Sequence, residues 1–127
     1  MEAQDITGRN EIAVLVNTFY EKVKKDKILS VMFADVHWEN HLPVMYDFWE
    51  NVIFHTGNYS GNPMVKHHMV HQKNPLSKEH FEKWLNLFEE TVDELFSGPN
   101  AISIKERARS IATIMEMKII TPGRNVL

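Results

Sequence analysis

The sequence predicts an all-α fold. Apolar residues recur at three- and four-residue steps along most of the chain, and no stretch alternates with the period of two that a half-buried strand shows. No Asn-Gly or Asp-Gly turn joins two apolar runs into a hairpin. Asp26-Lys27 and, further on, glycines and prolines instead divide the chain into helix-sized pieces, with breaks near 26, 57–63, 72–75 and 97–99.

In the first piece, Ile12, Leu15, Val16, Phe19, Tyr20 and Val23 form the apolar stripe of a helix, with Glu11, Asn17, Glu21, Lys22, Lys24 and Lys25 between them. The lysines gather in the last turn, where they complement the negative end of the helix dipole. Asp26 and Lys27 break this helix, and a short apolar piece with Ile28, Leu29, Met32 and Phe33 follows. The run from Trp38 to Phe54 reads as a second long helix. Pro43 is tolerated only in its first turn, so the start is expected between Trp38 and Asn40. On this helix His41, Met45, Phe48 or Trp49, and Val52 share one face, and Gly57 is the expected left-handed terminator.

Asn62 and Pro63 then suit the cap and first residue of a short helix, which Gln72-Lys73-Asn74-Pro75 limits to about two turns. Ser77 caps a strong helix whose stripe is Phe81, Trp84, Leu85, Phe88, Val92, Leu95 and Phe96, and Ser97-Gly98-Pro99 stops it. A last helix from about Ala101 to Ile120 buries Ile104, Ala108, Ile111, Met115 and Ile119.

The 127 residues are read as one domain, 1–127, with 121–127 as a flexible tail. Fourteen basic against 17 acidic side chains leave a formal charge of −3, which offers no electrostatic case for nucleic acid or an anionic membrane. The absence of cysteine excludes disulfides, Cys-based zinc sites, iron–sulfur clusters and thiol nucleophiles. No apolar run approaches the roughly 20 residues that span a bilayer, and Met1 to Asp5 do not open a signal peptide, so a cytoplasmic location is expected.

One compositional feature stands out: 7 Phe, 3 Trp, 3 Tyr, 7 Met and 7 His in a small chain. Wide and deformable side chains suit a core that wraps something large and apolar, although an aromatic-rich core needs no ligand to explain it. His67 and His71 lie four apart and could share a metal, but no carboxylate lies between Glu50 and Glu79 to complete a zinc site. His41 falls on the inner face of the second helix, and His67 falls in the short one beside Met64 and Val70. Tyr20 and Trp84 bring an O–H and an N–H into the interior on two other stripes. Such buried donors need partners, and their convergence suggests a polar object held in an apolar pocket. Haem answers that description: a flat apolar ring, one axial imidazole, and a polar ligand on the other face.

The chain resembles a truncated haemoglobin of group III from about Asp5 to Ile120. The resemblance is carried by Phe19-Tyr20-Glu21-Lys22-Val23, Met32-Phe33, Trp38-Glu39-Asn40-His41, Phe48-Trp49, Tyr59-Ser60-Gly61-Asn62-Pro63, His67, and Phe81-Glu82-Lys83-Trp84-Leu85-Asn86-Leu87-Phe88. None of the 5 glycines adjoins another, unlike the paired-glycine turns of the other truncated groups. The resemblance implies a helical sandwich of about six helices, two over two around haem b. It implies His67 as the proximal iron ligand, with Tyr20, His41, Met45 and Trp84 in the distal pocket. Phe33, Trp38, Leu42, Phe48, Trp49, Tyr59, Met64, Leu85 and Phe88 are the implied lining. Met45 stands where a branched aliphatic residue is usual.

His68 adjoins His67, but about 100° of helix separates their side chains, so only one faces the iron, and the spacing from His41 favours His67. Lys66, Tyr59 and Lys73 are candidates for the haem propionates, and His80 reads as a solvated surface group. A ligand held by two donors, each worth about 1.5–3 kcal/mol, leaves slowly. The expected activity is therefore binding of O2, CO, NO or peroxide at a five-coordinate iron, used for redox chemistry rather than transport. Nitric oxide dioxygenation or a peroxidase-like reaction would draw on an external reductase, because no dinucleotide motif is present. Two other readings compete: a zinc-binding helical domain using His67 and His71, and a cofactor-free helical interaction module.

Overall fold

The computed structural model describes residues 3–34, 36–57, 59 and 76–120. Helix α1 spans Arg9–Lys25, and all six expected stripe residues are buried. The Asp26 carboxylate ends it by accepting from the amides of Ile28 and Leu29 at 2.9 and 3.0 Å, a local turn that competes with helix propagation. A single 3-10 turn, Ser30–Phe33, follows.

Helix α2 runs from Trp38 to Phe54 and starts where expected. Pro43 nevertheless lies in its second turn. The cost is limited because proline leaves only the carbonyl of exposed Glu39 without its helical donor, and water can replace it. The helix stops two residues before the expected terminator: His55 takes the left-handed conformation (φ 56°, ψ 43°), which histidine enters more readily than most side chains. Gly57 is also left-handed, and its amide donates to the side chain of Asn51 at 2.7 Å.

The expected short helix from Pro63 to His71 lies outside the described residues. Helix α3, Lys78–Leu95, begins at Ser77, whose amide donates to His80 Nδ1 at 3.0 Å, with the Ser77 hydroxyl 2.8 Å from the same nitrogen. Histidine thus stands where a capping box usually has Glu or Gln. Helix α4 spans Pro99–Ile120, so Pro99 both stops α3 and opens α4 as a first helical residue. Its free amides are capped from far away: the Asp5 carboxylate accepts from Asn100 at 3.0 Å and Ala101 at 2.9 Å.

Helix α1 packs on α2 and on α3, α3 packs extensively on α4, and α2 also touches α4. Arg9 bridges Asp47 and Glu50 between α1 and α2, and Lys22 bridges Glu90 and Glu94 between α1 and α3. Exposed pairs of this kind contribute about 0.2–1 kcal/mol and chiefly fix register. The apolar interior has two parts. A main core joins Ile6, Ile12, Leu15, Val16, Phe19, Phe88, Val92 and Ile104, while Phe81, Met115 and Ile119 form a small second cluster. Among the described residues no strand occurs, and no helix is long and apolar enough to cross a membrane. The described fold is all-α.

Candidate ligand pocket

Between the two apolar clusters the packing opens into a cavity of about 290 Å3, near the lower end of small-molecule sites. Its walls are built from both sides of the interior. Tyr20 comes from α1, and Met32, Phe33 and Val36 come from the connection to α2. Helix α2 contributes His41, Met45, Phe48 and Trp49, one face at four-residue spacing. Tyr59 and Leu76 adjoin them. His80, Phe81 and Trp84 of α3, Ile111, Ala112 and Met115 of α4, and Leu29 complete the described wall. No Asp, Glu, Lys or Arg is among these residues, so a polar contact made here is poorly screened.

Eight of the expected pocket residues meet at this cavity: Tyr20, Phe33, His41, Met45, Phe48, Trp49, Tyr59 and Trp84. Trp38, Leu42, Leu85 and Phe88 stand behind it, packed in the main core. Phe88 is fully buried and stacks on Trp49 at 4.7 Å and on Trp84 at 5.5 Å, the latter pair only 10° from parallel. Phe19 meets Tyr20, Trp84 and Phe88 edge-on at 5.0, 5.8 and 5.3 Å. Each such pair adds about 0.5–1.5 kcal/mol beyond burial, and together they hold the Tyr20 and Trp84 ring planes. His67, Met64, Lys66, Lys73, His68 and His71 lie outside the described residues.

The pocket's distinctive polar group is Tyr20. Burial pushes its phenol well above the usual range, so it is a neutral O–H donor throughout the physiological range. Its ring lines the cavity, where the hydroxyl is available to a polar ligand. A hydrogen bond from a neutral phenol to a polar ligand in such a site contributes about 0.5–1.5 kcal/mol, and more if the ligand is charged. Burial likewise raises the Tyr59 phenol, whose ring meets Phe48 edge-on at 5.0 Å.

His80 corrects the reading of that residue as a solvated surface group: it is half-buried and forms part of the wall. Its position four residues before Trp84, on the same helical face, was the available signal. Because Nδ1 accepts from the Ser77 amide, the neutral ring carries its proton on Nε2. Phe81, Ile111 and Met115 were read only as core, and Leu76 was not singled out. Nothing local marks them as wall, because the gap they border arises between elements. These surfaces fit a flat apolar ring with a small polar ligand beside it: aromatic and thioether walls, no fixed charge among the described lining residues, and a neutral phenol donor.

Comparison with known proteins agrees. The family model for bacterial-like globins matches residues 4–120. The group 3 truncated hemoglobin ctb of Campylobacter jejuni is 35% identical over 112 residues, covering 84% of this chain and 86% of that protein. The crystal structure of group III truncated hemoglobin from Campylobacter jejuni superposes with a TM-score of 0.84 at 32% identity, covering 97% of this chain and 98% of the other. The chain belongs to the bacterial-like globins, with the group III truncated haemoglobins, and so to a class of haem-based ligand-binding proteins.

Proposed function

We propose that this chain is a single-domain cytoplasmic haem b protein that retains O2, NO, CO or peroxide in its cavity. Its use is oxygen-dependent, nitric oxide or peroxide redox chemistry with electrons from an external reductase, rather than transport. When bound, haem would supply an iron that takes the small ligand, and His67 would hold that iron through its imidazole. Tyr20 and Trp84 donate hydrogen bonds to the ligand, while His41 and Met45 close the same side of the pocket. In a site without fixed charge among its described walls, each charge-assisted bond contributes about 1.5–3 kcal/mol. Even about 3 kcal/mol in total slows ligand escape roughly a hundredfold, which suits chemistry better than delivery. The observation that carries this reading is the buried Tyr20 phenol, held neutral at the wall of an apolar cavity that also receives Trp84.

An absorption spectrum of the purified protein tests it. A Soret band that shifts when carbon monoxide is added after reduction is expected. His67→Ala should abolish normal ligation and His68→Ala should preserve it; the reverse pattern would reassign the axial ligand. A colourless protein that folds fully, or one with equimolar zinc and no iron, would overturn the proposal.

A further inference from the structure

Three rings on one wall of the cavity and a fourth behind them pack together, each touching the other three. Tyr20 lies 5.7 Å from Phe33, 5.1 Å from Trp38 and 5.3 Å from His41 between centroids. Phe33 stacks on Trp38 at 5.8 Å and reaches His41 at 6.4 Å, and Trp38 meets His41 edge-on at 5.5 Å. Tyr20, Phe33 and His41 line the cavity, whereas Trp38 is one layer back. Lys24 Nζ sits 4.6 Å from the Trp38 ring centroid, over the ring. The same ammonium lies 3.2 Å from a Glu21 carboxylate oxygen, and both side chains are exposed.

The chain builds this arrangement from three elements. Tyr20 and Lys24 are four residues apart on one face of α1, so both reach Trp38. Trp38 and His41 are three apart in the first turn of α2, and Phe33 ends the 3-10 turn between the helices. In a mutually packed set of four rings, no ring reorients without displacing another. The cation over Trp38 is the member of this set that solvent reaches most easily.

We infer that Trp38, gripped by Lys24, is a positioning residue that fixes the Tyr20 and His41 rings and thereby sets how fast a small ligand crosses this wall. The role rests on the proposed function, since it presumes that the ligand occupies this cavity. An exposed cation–π contact, expressed as a rate ratio, is a factor of about two to five, so Lys24 tunes the wall without blocking it.

The test uses the haem-loaded protein with Lys24→Met, Lys24→Arg, Trp38→Phe and Trp38→Ala. Carbon monoxide association after flash photolysis is read together with Tyr20 ring-flip rates by NMR in the diamagnetic carbon monoxide complex. Lys24→Met, which keeps the stem and removes the charge, should speed both by about two- to fivefold, and Lys24→Arg should restore the original values. Trp38→Phe should fall between the unaltered protein and Trp38→Ala. Unchanged association and ring motion in Lys24→Met and Trp38→Phe would overturn the inference, even if melting temperatures drop, because a merely structural role moves only the latter. If the unaltered protein shows no Soret band, the functional proposal fails by itself. Tyr20 ring motion in the haem-free protein then still decides whether Lys24 and Trp38 hold that ring.

Discussion

The Tyr20 phenol has consequences beyond the ligand it faces. Burial disfavours its anion, so the folded pKa lies above the ordinary value of about 10. Above about pH 10 the unfolded chain releases this proton while the folded chain keeps it, so stability falls by up to about 1.4 kcal/mol per pH unit. Below that pH both states hold the proton and the group contributes no slope. Urea unfolding of the original protein and Tyr20→Phe should therefore differ by a constant amount up to about pH 10. The original protein should then lose stability faster; parallel curves to pH 11 would mean the phenol is not desolvated. As a ligand donor, Tyr20 has a separate signature. Stopped-flow oxygen dissociation from Tyr20→Phe and from Trp84→Phe should each rise by roughly tenfold or more. Unchanged rates in both would remove these two residues as donors.

Among the elements, the start of α4 shows what a sequence reading reaches and where it stops. The stripes of α1 and α3 were legible because period and caps are local: Ile12 to Val23 on one face, and Ser77 before Phe81 and Trp84. The cap of α4 was not, because its acceptor is Asp5, 95 residues before Asn100, and no local pattern announces it. Partial burial alone would raise the Asp5 carboxyl, but hydrogen bonds from the amides of Asn100, Ala101 and Ile6 outweigh it and hold the group below its usual value. Its contribution is thus present above the ordinary carboxylate range and is lost as pH falls below about 4. Asp5→Ala should cost about 1–2 kcal/mol in urea unfolding at neutral pH, and the gap to the original protein should close on acidification. Gly98 completes the junction: at φ 140° it adopts a conformation side chains rarely take, and a Cβ there would lie 2.5 Å from Asp5 Cγ. Gly98→Ala should therefore destabilise the protein in urea unfolding by at least as much as losing the cap, because relieving the clash by detaching the Asp5 segment forfeits that cap.

At the scale of the whole molecule, the cavity borders both the main core and the Phe81–Met115–Ile119 cluster, which meet at Ile111. Its polar members were legible because a buried Tyr20, Trp84 or His41 raises the question of what it pairs with. Its second wall was not, because Phe81, Met115 and Ile111 look like any core residues until the helices that carry them are set apart. Protein interiors ordinarily pack closely, so a ring seated in this cavity would add contacts to both the main core and the Phe81–Met115–Ile119 cluster. A bound ring that touches both clusters would couple them, and by mass action a cofactor at a hundredfold excess over its Kd stabilises the folded state by about 2.7 kcal/mol. Extracting haem should therefore lower Tm by on the order of 10 °C. The loss should also be uneven: amides at the start of α3 and in the last turns of α4 should lose most hydrogen-exchange protection, while α1 around Leu15 and Phe19 keeps it. Equal melting temperatures with and without haem, or uniform loss of protection, would mean that the ring is not what joins the two halves of the interior.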